Sequence, residues 1–177
     1  MLEPRCFMTE YEIDNTRGAR ALFVMRAGGR LFAVYGEEVE ATAEGLTATP
    51  LPHAPTAVCG VVSLRGRVRT VLDPLRVIAA HESSGAAGAT DATDATATDR
   101  DAPRLFIALR GDEQLALVCD GAEGLIEVAR ANLTPPPDAQ SPTLGTFAHR
   151  GLNVTLLDPA RLFDAAMQGM DRRRKRS

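Results

Sequence analysis

The chain has 177 residues, a net charge of −3 and 45% hydrophobic side chains, enough for one domain or two small modules that bury about 70% of the unfolded surface. An acidic balance with only 5% aromatic residues gives no electrostatic or stacking case for nucleic acid. The three cysteines make no disulfide framework, and no run of about 18 apolar residues marks a membrane span, so a cytoplasmic protein without direct membrane insertion is expected.

Residues 1–19 lack periodicity and read as a flexible N-terminal arm. Leu22–Met25 and Leu31–Tyr35 flank Gly28-Gly29, the pattern of a β-hairpin. Glu37–Ala43 has weak helical character, interrupted by Thr42 and Gly45. Val58–Leu64 and Val68–Leu72 form a second hairpin about Arg65-Gly66. Asp73-Pro74 then supplies an N-cap and a proline at the first helical position, opening a short helix to about Ala80. Residues 83–102 are rich in Ala, Thr, Gly and Asp and form an acidic linker with nothing to bury. Strands follow at Leu105–Leu109 and Leu115–Val118 about Gly111-Asp112, and at Leu125–Val128. A proline-rich connection, 132–143, leads to Leu144–Ala148, a turn at Arg150-Gly151, and Val154–Leu157. Asp158-Pro159 caps a last helix to about Met167, and the tail 169–177 ends in a basic run.

The two halves repeat. GVVSLRGRVRTVLDPLR, from Gly60, and GTFAHRGLNVTLLDPAR, from Gly145, share Gly60, Arg65, Gly66, Thr70, Leu72, Asp73, Pro74 and Arg76. The hairpins LFVMRAGGRLFAVY and LFIALRGDEQLALVC echo each other as well. Two diverged copies of one framework argue against a single catalytic constellation. Short strands with glycine turns suggest an all-β chain of small closed barrels, since closure removes exposed edges.

These segments, in order over roughly 20–168, resemble the CheW-like family of adaptors that couple chemoreceptors to the histidine kinase CheA. The opening hairpin, TPLPHAP before a glycine-led strand, GVVSLRGRVRTVLDP with its Leu-Arg-Gly turn, and LALVCDGAEGLIEVARANLTPPP carry the likeness. The resemblance implies two packed five-stranded barrel subdomains with short helices, about 20–82 and 103–168. It implies no enzymatic activity, no catalytic or metal residues and no cofactor. The implied partners are the regulatory domain of a CheA-type histidine kinase and the cytoplasmic tip of a methyl-accepting receptor, with recruitment to receptor arrays. Arg65 resembles a receptor-contact arginine, with Gly60 and Gly66 shaping that surface, while Phe23, Gly36 and Val39 fall at the kinase-binding face. The chain departs from the family at Ser63, usually Asn, and at Thr70, usually Pro. It also has Ala41 where a glutamate is often found, and Thr42 where a larger apolar residue is usual. These departures point to a diverged pathway, or to a decoy that binds only kinase or only receptor.

Plainer readings exist for most of these residues. Arg65 and Arg150 also suit solvated turns, and the Asp-Pro pairs suit helix caps. His53, His81 and His149 share no metal-ligand spacing, and Cys59 and Cys119 read as small buried hydrophobes. The basic run 172–176 suits either solubility or an anionic surface.

Overall fold

The computed structural model describes residues 18–85, 104–111 and 113–174, with backbone alone for 83–85 and 168–174. In chain order the strands are β1 (Ala19–Ala27), β2 (Arg30–Tyr35), β3 (Val39–Glu44), β4 (Val58–Leu64) and β5 (Arg67–Leu72). After helix α1 (Pro74–Gly85) come β6 (Leu105–Leu109), β7 (Leu115–Cys119), β8 (Gly121–Ala129), β9 (Thr143–His149), β10 (Leu152–Leu157) and helix α2 (Pro159–Arg174). The strands form two five-stranded sheets, ordered β8-β1-β2-β10-β9 and β3-β6-β7-β5-β4.

Each sheet draws on both repeats. The β1–β2 hairpin of the first copy sits among β8, β9 and β10 of the second, and β6–β7 sits among β3, β4 and β5. The exchange is held by two short parallel pairings, β2 with β10 through Phe32↔Thr155 and β7 with β5 through Leu115↔Thr70. Each sheet therefore takes strands from both sides of the linker.

The expected barrels are not there. Among the described residues, no ladder joins β3 to β4 or β8 to β9, so neither sheet closes. Instead, the connecting segment in each repeat crosses the outer edge and touches it at one bridge, Thr49↔Val61 and Thr134↔Thr146. Each bridge is a pair of backbone hydrogen bonds of 2.8–2.9 Å. One bridge satisfies two edge groups and lets the proline-rich segment continue, whereas a full ladder would need donors that proline lacks.

The alternation of side chains explains three apolar layers. Leu22, Val24, Leu31, Ala33, Phe147, Val154 and Leu156 fill the inside of the first sheet. Val62, Leu64, Val71, Phe106, Ala108, Ala116 and Val118 fill the second. Between the sheets lies a shared layer containing Met25, Phe32, Val34, Leu72, Ile107, Leu117 and Leu157, closed by Val77 and Ile78 of α1 and Leu162 and Ala166 of α2. Strands β6 and β7 are buried at every position because both faces meet apolar layers, which is why they read as unbroken hydrophobic runs.

Local expectations hold in most places. Asp73 Oδ1 accepts from the backbone N–H groups of Leu75 and Arg76, and Asp158 Oδ1 accepts from Ala160, as caps do. The weakly helical stretch after Tyr35 is instead a single 3-10 turn, Gly36–Glu38, followed by β3. Pairing with β6 decides this, because Val39 and Thr42 are β-branched and find a ladder there. Both helices run past the expected ends, to Gly85 and Arg174. The arm through residue 17, linker residues 86–103 and residues 175–177 lie outside the described residues. No described helix is long and apolar enough to cross a membrane.

Candidate functional site: two separate surfaces

Arg65 stands at the tip of the β4–β5 hairpin in a left-handed conformation, φ 49°, followed by Gly66 at φ 73°. Positive φ at both central positions is the type I′ geometry that matches the strand twist, so the turn itself holds the arginine out from the strands. Arg65 is exposed, and no described residue forms an ion pair with it. Arg150-Gly151 repeats this turn at φ 50° and 77°. Gly60 is buried at φ 141°, and a Cβ there would lie 2.1 Å from the Thr49 carbonyl oxygen. Its role is to let the connecting segment cross β4.

Phe23 lies on β1 of the other sheet, Gly36 opens the 3-10 turn that follows β2, and Val39 closes that turn and begins β3 in the sheet of Arg65. Phe23 of β1 is half-buried against the shared layer, and its register partner on β8 is Leu125. Leu125 is 61% exposed, and its Cδ2 lies 2.7 Å from where a Gly36 Cβ would stand. Gly36 thus lets an exposed leucine lie flat on the 3-10 turn, and Val39, at the end of that turn, also reaches the shared layer. Arg20 pairs with Glu37 and stacks over the Tyr35 ring at 4.1 Å, giving this apolar face a charged rim. Leu125 was missed by sequence reasoning because Leu125–Val128 looked like an ordinary strand. Only the edge position of β8 exposes it.

The second omission is Arg69. It is 2% exposed, with Nη1 donating to the Leu109 carbonyl at 2.7 Å and Nη2 to Glu40 at 2.6 Å, while Nε has no partner. Glu40 reaches it because β3 bulges between Val39 and Ala41. That hydrogen bond holds the Glu40 carboxyl below its ordinary range, and the charges of Arg67 and Arg110 add to the effect. Ala41, the next residue, is buried among Val62, Leu64 and Phe106, where a glutamate would face an apolar layer. Thr70 also has a structural account, since its N–H donates to Gln114 O at 2.9 Å, a bond proline could not make.

Arg69→Ala is expected to destabilise the fold by about 3 kcal/mol, through a lost buried ion pair and an unfilled space. Arg69→Val with Glu40→Gln should recover most of that loss, because Val154 already fills the matching position in the first sheet. Urea unfolding of both variants checks this.

No catalytic arrangement emerges from the cysteines. Burial pushes the Cys119 thiol up to about 12, with Asp120 adding to the rise, and Cys59 is raised by the same cause. His81 faces Asp138 at 3.6 Å and His149 faces Glu123 at 3.7 Å, while His53 lies in the exposed proline loop.

Comparison with known proteins agrees with this architecture. The CheW-like domain family matches residues 21–167. The chain is 30% identical to Protein FrzA of Myxococcus xanthus over 162 residues, 87% of this chain and 91% of that one. It is 29% identical to Chemotaxis protein CheW of Rhizobium meliloti (strain 1021) over 147 residues, covering 83% and 86%. Scaffolding protein TtCheW from Thermoanaerobacter tengcongensis shares the fold, with a TM-score of 0.61 over 82% of this chain and 92% of that one at 16% identity. With the ordered repeat, the paired five-stranded sheets and a match over nearly all the described residues, the chain belongs to the CheW-like domain family.

Proposed function

We propose that this CheW-like adaptor couples chemoreceptors to a CheA-type histidine kinase through two separate surfaces. The Arg65 turn receives the cytoplasmic tip of a methyl-accepting receptor. The face of Phe23, Gly36, Val39 and Leu125 receives the kinase's regulatory domain. The observation that carries the reading is the spacing of these surfaces about one apolar layer. Arg65 projects from the tip of the β4–β5 hairpin, whereas Phe23 and Leu125 lie on the β1–β8 border of the other sheet, so both partners can dock without competing. The rigid layer fixes one partner's orientation relative to the other. In this role the protein is a non-catalytic cytoplasmic scaffold.

The two faces differ in character as their roles require. The kinase face is apolar with a charged rim, suited to a stable protein–protein contact. The receptor face centres on the exposed Arg65 guanidinium of a stiff turn, suited to orienting a helical hairpin. In a reconstituted mixture of receptor fragment and kinase, the chain should raise kinase autophosphorylation. Arg65→Ala should weaken receptor-tip binding by about tenfold or more, without changing thermal stability or kinase binding. Unchanged receptor affinity in that variant would remove Arg65 from the receptor surface.

A further inference from the structure

The mouth of the second sheet's interior, next to the Arg65 turn, gathers more positive charge than it neutralises. Arg67 and Arg69 point to the same face of β5, and Arg110 leaves the end of β6, where Leu109 O accepts from Arg69. All three guanidinium groups act on one carboxylate, that of Glu40. Arg69 is buried and committed to Glu40, which leaves Arg67 and Arg110 exposed. Neither has a carboxylate partner among the described residues, whereas Arg20, Arg26, Arg30, Arg76 and Arg161 each do. The nearest acceptor for the Arg110 side chain is the Val39 carbonyl, 3.5 Å from Nε.

The fold does not require this charge. In the matching hairpin of the first sheet, Leu152 and Val154 stand at the positions of Arg67 and Arg69. At that mouth Arg26 is bound to Glu123 at 2.7 Å. Three arginines without an ion pair, Arg65, Arg67 and Arg110, therefore stand at this mouth, against Arg150 alone among the described residues at the other. Val68, between Arg67 and Arg69, is 65% exposed on the opposite side of the strand and adds an apolar contact at the same hairpin.

We propose that this arginine-lined mouth receives carboxylate side chains of the receptor tip, with Arg67 and Arg110 as the contacting groups and the Arg69–Glu40 pair holding them in place. The inference rests on reading the Arg65 turn as the receptor surface, and it adds the chemistry of the partner: an acidic, amphipathic helical hairpin. Unpaired guanidinium groups beside a turn give both electrostatic steering and bidentate recognition of carboxylates.

The test is the affinity of a receptor-tip fragment for the full chain over a series of salt concentrations, with kinase-domain binding measured alongside. Arg67→Gln with Arg110→Gln should weaken receptor binding about tenfold or more at ~0.1 M salt and flatten its salt dependence, and Arg67→Gln alone should leave kinase binding unchanged. Arg67→Lys with Arg110→Lys should restore the salt dependence and part of the affinity. If the glutamine pair binds within twofold of the parent with the same salt slope, while Arg65→Ala loses binding, the acidic-partner inference is overturned and the receptor surface stands. If the parent does not bind the fragment at all, both are overturned.

Discussion

Gly60→Ala should cost about 3–5 kcal/mol of stability, a large part of what a domain of this size holds. Two independent penalties meet at this residue. Its φ of 141° lies in a region that side chains rarely adopt. A methyl group would also stand 2.1 Å from Thr49 O and 2.6 Å from its carbon, both backbone atoms. Relief requires moving the connecting segment off β4, which breaks the two hydrogen bonds between Thr49 and Val61. The matching Gly145→Ala meets Thr134 O at 2.6 Å and should cost less. Gly66→Ala meets no atom within 4 Å and should cost only about 1 kcal/mol for its left-handed backbone. Urea unfolding of the three variants should rank them in that order. A Gly60→Ala loss below about 1 kcal/mol would show that the segment is not held against the strand. The ranking also matters for function, because a Gly60 variant that fails to bind receptor would fail through its fold.

Leu125→Glu should abolish most of the affinity for the kinase regulatory domain, raising Kd by about a hundredfold, while the protein stays folded. The side chain is 61% exposed, so folding loses little when it changes. In a docked complex, however, a carboxylate would have to be desolvated beside Phe23 and over Gly36 with no cation on the apolar face itself. Receptor-tip binding should be unaffected, because the Arg65 turn belongs to the other sheet. Binding titrations with each partner, alongside a thermal melt, give the result. An unchanged kinase affinity would move the kinase contact away from this face.

The hairpins, the caps and the repeat were legible because each has a local cause: glycine at positive φ, aspartate before proline, alternation of side chains. The exchange of hairpins was not. LFVMRAGGRLFAVY and LFIALRGDEQLALVC are similar enough that either could pair with either set of neighbours, and nothing local records which copy is used. The open sheets were hidden for a related reason. Edges imply closure as a general rule, but here single bridges at Thr49 and Thr134 cover each edge, and those threonines look like loop residues. Arg69 carries no local sign of burial, since an arginine two residues from another in a strand is usually solvated. Its burial depends on Glu40 and the Leu109 carbonyl, which arrive from β3 and β6. Of the residues taken from the family, Phe23 and Val39 both border the shared apolar layer, and Gly36 lies under Leu125. Arg65 and Gly66 share the turn, and Gly60 is set apart by its burial.

The central claim is that one small protein holds two partners on independent faces. The direct measurement is binding of the parent, Arg65→Ala and Leu125→Glu to a receptor-tip fragment and to a kinase regulatory domain, separately and together. The account predicts that the parent binds both at once, that Arg65→Ala loses only the receptor, and that Leu125→Glu loses only the kinase. A parent that binds one partner alone would be a decoy, and a single variant that loses both partners would mean the two faces are one. Either result would contradict the coupling mechanism.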